Sequence, residues 1–155
     1  MALQNRFFPA TMRAKQLADE GFLGKVLTFR GVYLHNSNVD PTRVMNWKSD
    51  RKVCGGGVLL DLGSHILDLV THLLGPVKRL WCHNVNVTPV RPDGKGGQVT
   101  MDAEEHSTVI LELTSGATGV LEASKLASGT NDEARFEIHG RDGAMRFNSM
   151  DPNYL

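Results

Sequence analysis

Apolar residues recur at helical spacing in two stretches and at alternate positions through most of the remainder, which divides the chain into a helix-bearing first half and a strand-rich second half. Pro9 stands at the first turn of a helix that runs through Met12, Ala14, Leu17 and Ala18 and stops at Gly21, with proline leading in and glycine leading out. From Lys25 to His35 the run KVLTFRGVYLH reads as a strand, with Leu27, Phe29 and Tyr33 on one face and Thr28, Arg30 and Val32 on the other. Asn36 to Lys52 is irregular and rich in Asp, Pro and Asn. A second helix, led by Gly55-Gly56-Gly57, continues to Leu74 and is ended by Gly75-Pro76.

Beyond that helix the pattern is β. Val77 to Val90 alternates as one strand, Arg91 to Asp102 is a polar, Gly-rich loop, and Ser107 to Leu113 alternates up to a turn at Ser115-Gly116. Val120 to Ala127 returns as its hairpin partner, and a second hairpin joins ARFEIHG to AMRF through Arg141-Asp142-Gly143. Strands that follow helices, joined by short turns rather than helical crossovers, predict an α+β fold whose sheet is predominantly antiparallel, with helices packed on one face. The 155 residues suffice for a single domain with a real core, spanning 1–155.

The second helix carries the candidate chemistry. At about 100° per residue, Asp61, His65, Asp68 and His72 share a sector of roughly 60°, while Leu59, Leu62, Ile66, Leu67, Leu69, Val70, Leu73 and Leu74 occupy the rest. A solvated helix face normally carries Lys, Glu and Arg, whereas Asp and His are poor helix formers. The stripe therefore points to a site. Asp68 is expected to cap or pair with a loop donor, and His72, near the helix end, to be a surface histidine favoured by the helix dipole. His35, His83, His106 and His139 have no partners in spacing and receive no role.

Composition narrows the partners. Seventeen basic and seventeen acidic residues balance to zero, so no nucleic acid is expected. No apolar run approaches the ~20 residues of a membrane span, and no signal peptide is evident, so no membrane is expected and the protein should be cytoplasmic. Cys54 and Cys82 lack a CxxC spacing. The chain has no GxGxxG after a strand, no GxxxxGK[ST] and no GxSxG, hence no phosphate cradle of its own.

Three motifs together carry a resemblance. NRFFPATMRAKQLADEGFLGKV with FRGVYLH and Asn46-Trp47-Lys48, then GGGVLLDLGSHILD, then FEIHGRDGAMRF, resemble the C-terminal domain of the Gfo/Idh/MocA oxidoreductases, a group that includes glucose-fructose oxidoreductase and inositol dehydrogenases. The likeness covers nearly the whole chain. It implies one part of a longer two-domain enzyme: a Rossmann domain holds NAD or NADP, and this α+β domain supplies the substrate pocket and the oligomer surface. The family's Glu-Lys-Pro motif belongs to the other domain and does not occur here. Where relatives often have Trp-Arg, this chain has Trp47-Lys48, which keeps the charge but loses the bidentate fork.

The resemblance implies that the chain serves hydride transfer between nicotinamide and a sugar, polyol or inositol-like carbinol, with this chain alone inactive. Its matching Asp and His, Asp61 and His65, are the expected catalytic pair. Imidazole exchanges protons near neutrality. Asp61, one turn earlier, is spaced to hydrogen-bond either that imidazole or a neighbouring substrate hydroxyl. Lys48 is expected to hold a substrate oxygen, Trp47 to offer a sugar an apolar plate, and Gly56 and Gly57 to let the backbone approach substrate. Asn5 and Arg6, the expected cofactor-binding residues, would meet the nicotinamide or the substrate from the domain junction. Two other readings remain open. Asp61, His65, Asp68 and His72 could ligate the metal of a hydrolase with help from His35 or Glu104, or the domain could be a purely structural dimerisation module. In the dehydrogenase reading there is no metal, and a homodimer or higher homo-oligomer forms through the sheet.

Overall fold

The structure, a computed structural model, describes residues 2–155. After a 3-10 turn at Gln4–Phe7, helix α1 spans Pro9–Asp19 with its proline in the first turn. Strand β1 follows at Val26–Leu34. A 3-10 turn at Trp47–Ser49 and the short α2, Arg51–Cys54, lead to the glycines, then to a π-helical turn at Leu59–Gly63 that runs directly into α3, Ser64–Leu74. The remaining strands are β2 Val77–Val85, β3 Val90–Pro92, β4 Gln98–Thr100, β5 His106–Leu113, β6 Thr118–Ser124, β7 Glu133–Gly140 and β8 Ala144–Asn148.

Six strands form one sheet in the order β2-β5-β6-β1-β7-β8, and β3 and β4 form a separate ribbon. This is the expected α+β architecture, with helices on one face. Every neighbouring pair in the large sheet is antiparallel except β1 with β6, which run parallel from Thr28 opposite Thr118 to Leu34 opposite Ser124. The core lies between the helices and the inner sheet face: Ile66, Leu69, Val70 and Leu73 of α3 and Ala10 and Ala14 of α1 meet Phe29, Leu111, Leu121, Phe136, Ile138 and Phe147. Each large side chain buried there is worth about 1.5–3 kcal/mol. Gly31 permits this packing, because a Cβ at that point of β1 would overlap Ile66 and Leu121.

Five sequence expectations are corrected. Leu27 does not share the buried face of Phe29, because β1 bulges between Val26 and Thr28 and leaves it exposed. The strand expected over Val77–Val90 stops at Val85, and the supposed loop Arg91–Asp102 contains all of β4 and all but the first residue of β3. Its Arg91, rather than being a solvated loop residue, is buried. The stretch Arg51–Leu74 does reach the length and apolarity of a membrane span; here the glycines break it, and its α3 portion packs on the sheet.

The candidate site at the ends of the parallel strands

A parallel pair ends on the same edge of the sheet, so the residues that follow β1 and β6 emerge side by side. His35 N–H donates to the Ser124 carbonyl (2.8 Å), and Asn38 N–H to the Lys125 carbonyl (2.9 Å). The π turn crosses above this edge, with Gly63 against Ala123 of β6. The loop from Asn36 to Ser49 folds back to close a cavity of about 320 Å³, lined by His35, Asn38, Trp47, Lys48, Asp61 and Lys125 among others.

Asp61 is the centre of this cavity. Lys48 Nζ lies 2.9 and 3.2 Å from its two carboxylate oxygens, and Lys125 Nζ 3.0 Å from Oδ2. Burial alone would raise the Asp61 pKa, but the Lys48 hydrogen bond and the charge and hydrogen bond of Lys125 outweigh it and hold the group below the ordinary carboxylate range. Asp61 therefore stays ionised at neutral pH and fixes two ammonium groups. Lys125 is only 7% exposed. Lys48 also lies 5.8 Å from the centroid of the Trp47 ring, which is 62% exposed at the cavity edge and is no core residue.

The expected bond from Asp61 to the His65 imidazole is replaced by these lysine contacts. The four-residue spacing from Asp61 to His65 was read at α-helical pitch, but the Leu59–Gly63 segment is π-helical. Its wider turn rotates Asp61 away from the stripe and toward Lys125. His65 lies outside the cavity lining, one turn further along, with its Nδ1 buried and unpartnered and its ring edge-on to Tyr33 at 5.7 Å. The Tyr33 phenol is pushed up to about 12 by burial, helped by its hydrogen bond to Asp132 and by the nearby Asp132 and Asp61 charges, so it remains a donor.

The rest of the stripe is structural. Asp68 receives a two-pronged ion pair from Arg6, with Nε 2.6 Å from Oδ2 and Nη2 on Oδ1. His72 departs from the expected dipole-favoured histidine, because burial and the charges of Arg6 and Lys15 lower its pKa. Among the described residues no group of three His, Cys, Asp or Glu side chains is placed to hold a metal, so the helix-face hydrolase has no ligand set. Gly56 and Gly57 do not line the cavity. Their close approach is internal: Gly56 lies under Leu60 and Gly57 against the Glu104 backbone, where a Cβ would overlap. The Glu104 carbonyl in turn accepts from Val58 N–H (2.9 Å) as the π turn begins. Asn5 is buried with its amide nitrogen unpartnered.

The cavity roof hangs on a buried ion pair that the sequence did not suggest. Glu105, 1% exposed, accepts from Asn38 Nδ2 (2.9 Å) and Arg91 Nη2 (3.0 Å) with one oxygen, and from the Val87 and Thr88 amides (3.0 and 2.9 Å) with the other. Arg91 donates onward to the carbonyls of Asn38 and Asp40. The ribbon and the cavity loop are thereby tied to the strand that begins at His106. Lys125 was missed as well. Its signal was present: a lone lysine in the otherwise apolar and small run Ala123 to Ser128. A larger hollow of about 680 Å³ lies along the β8 edge near Tyr154, and no stripe residue lines it.

Comparison with known proteins gives this geometry a context. The GFO/IDH/MocA C-terminal domain profile matches residues 11–146. The chain belongs to the Gfo/Idh/MocA family. Levoglucosan dehydrogenase of Pseudarthrobacter phenanthrenivorans is 30% identical over 96% of the chain, and D-xylose dehydrogenase of Paenarthrobacter nicotinovorans 27% identical over 89%. A solved levoglucosan dehydrogenase in complex with NADH and L-sorbose superposes with a TM-score of 0.92 at 32% identity, over 96% of this chain and 39% of that one. The present Gfo/Idh/MocA chain spans 41% of the first of these relatives and 37% of the second.

Proposed function

We propose that the chain is the substrate-binding part of an NAD(P)-dependent sugar dehydrogenase. The observation that carries this reading is the cavity in which Asp61 holds Lys48 and Lys125, one helical turn from the buried, unpartnered Nδ1 of His65. An unpartnered buried ring nitrogen costs about 1–3 kcal/mol unless another atom meets it. Both named relatives are sugar dehydrogenases, and the aligned levoglucosan dehydrogenase binds NADH and L-sorbose.

The residues present fit the edge of a nicotinamide and not a whole dinucleotide. Asn5 Nδ2 is a buried donor lacking a partner, whereas Arg6 is committed to Asp68 and no phosphate-binding glycine loop occurs in the sequence. When bound, the cofactor accepts or donates the hydride. His65 takes the proton from the reacting hydroxyl or returns it, depending on direction. Asp61 keeps Lys48 and Lys125 in place to orient the sugar oxygens, and Trp47 offers one face of the ring an apolar plate. Incubating the full-length protein with NAD or NADP and a panel of sugars should produce reduced nicotinamide; no formation with any sugar in either direction overturns the reading.

The open face of the sheet fits a homodimer. Trp81, Ile110 and Val120 lie abreast there, all exposed, and the same row continues through Arg30 and Glu137. An exposed apolar row that continues into charged residues suits a surface shared between subunits. Sedimentation should find a dimer that Val120→Glu splits; an unmodified protein that sediments as a monomer removes this part of the proposal. The free thiols Cys54 and Cys82 fit a reducing, cytoplasmic setting.

A further inference from the structure

The charge balance of the cavity at the ends of β1 and β6 goes beyond what a neutral sugar requires. Two ammonium groups, Lys48 and Lys125, share one carboxylate, Asp61, leaving one positive charge unmatched. Arg43 at the rim does not alter that balance, since the nearby Asp40 carboxylate offsets its charge. Lys125 carries three N–H donors, and Asp61 accounts for one of them. A largely buried ammonium with donors to spare is costly unless a ligand meets it.

The other polar groups are biased the same way. Ser37 N–H donates to His35 Nδ1 (3.0 Å), which assigns the ring proton to Nε2 and makes this cavity-lining imidazole a donor. Asn38 Nδ2 is directed to Glu105 while its Oδ1 accepts from Ser37 Oγ (3.3 Å), and the Asn46 side-chain oxygen accepts from the Lys48 N–H, so each amide oxygen is already engaged by a donor. The cavity thus offers donors and a single surplus positive charge, and its volume accommodates one sugar ring.

We propose that this cavity selects a sugar bearing one carboxylate, seated between Lys125, Lys48 and His35. The inference rests on the dehydrogenase reading only in taking the cavity as the sugar site. A monoanion matches the surplus of one; a phosphate dianion would overcompensate it and finds no row of backbone amides here.

D-Glucuronate, D-glucose and D-glucose 6-phosphate share a pyranose ring and differ at one substituent, so calorimetric binding of each to the full-length protein tests the proposal. Glucuronate should bind at least about tenfold more tightly than glucose, with an affinity that falls as salt is added while that of glucose does not. Lys125→Met should erase that preference and Lys125→Arg should retain most of it. Lys48→Gln, at an exposed position, should reduce it even if Lys125→Met fails to fold.

Equal binding of glucose and glucuronate, binding of neither, or a preference that survives Lys48→Gln and Lys125→Met overturns the proposal. Tighter binding of glucose 6-phosphate overturns the choice of a monoanion. Neutral sugars oxidised without any preference for glucuronate leave the dehydrogenase reading standing alone. Selective glucuronate binding with no nicotinamide reduction from any sugar does the reverse.

Discussion

Replacing Glu105 by alanine should cost the fold about 3–5 kcal/mol, the usual penalty for leaving half of a buried ion pair behind. The side chain accepts four hydrogen bonds, two of them from backbone amides, and it neutralises a guanidinium that is itself only 3% exposed. Its removal strands Arg91, whose Nε already lacks a partner. Glu105→Gln should cost less, because the amide oxygen can still serve one of the two donor sets. Arg91→Met combined with Glu105→Gln should cost less than the sum of the single changes, since each then removes the charge the other leaves unpaired. Denaturant unfolding of the four proteins measures this, and a loss below about 1 kcal/mol for Glu105→Ala would contradict the assigned role. The cavity loop hangs on Asn38 and Arg91, so sugar affinity should fall with stability across the series.

The second large effect is on turnover. His65→Ala in the full-length protein should lower kcat by roughly 10²–10⁴-fold, the range for losing a positioned general acid-base group. Its melting temperature should scarcely move, because the imidazole leaves Nδ1 unpartnered and contributes mainly its contact with Tyr33. Asp61→Asn should behave differently. It removes the charge that holds Lys48 and Lys125, so KM should rise more than kcat falls. Turnover unchanged by His65→Ala, or a purely KM effect from it, would remove the imidazole from the chemistry.

Most of the fold was legible because it rests on alternation and turn chemistry. The hairpins at Ser115-Gly116 and Arg141-Asp142-Gly143 and the Gly75 helix stop follow from local rules. The order of strands did not follow. Inserting β1 between β6 and β7 is decided by which apolar faces meet α3, information spread over the whole chain. The site was half legible for a related reason. Asp61 and Lys48 stood out by residue type, yet the partner Lys125 comes from a distant strand end, and a π turn cannot be distinguished from an α turn by apolar spacing over five residues. Arg91 was hidden inside a segment whose glycines and Pro92 read as loop, and its partner Glu105 lies just beyond that segment.

The parallel pairing of β1 with β6 also constrains how the molecule is made. β1 leaves the ribosome long before either of its neighbours has been synthesised, so both its edges wait without partners while α3, β2 and β5 emerge. Closing so long a loop is slow, whereas the β5/β6 and β7/β8 hairpins form locally and early. The cavity, built where β1 and β6 end, is consequently expected among the last features to form in a nascent chain.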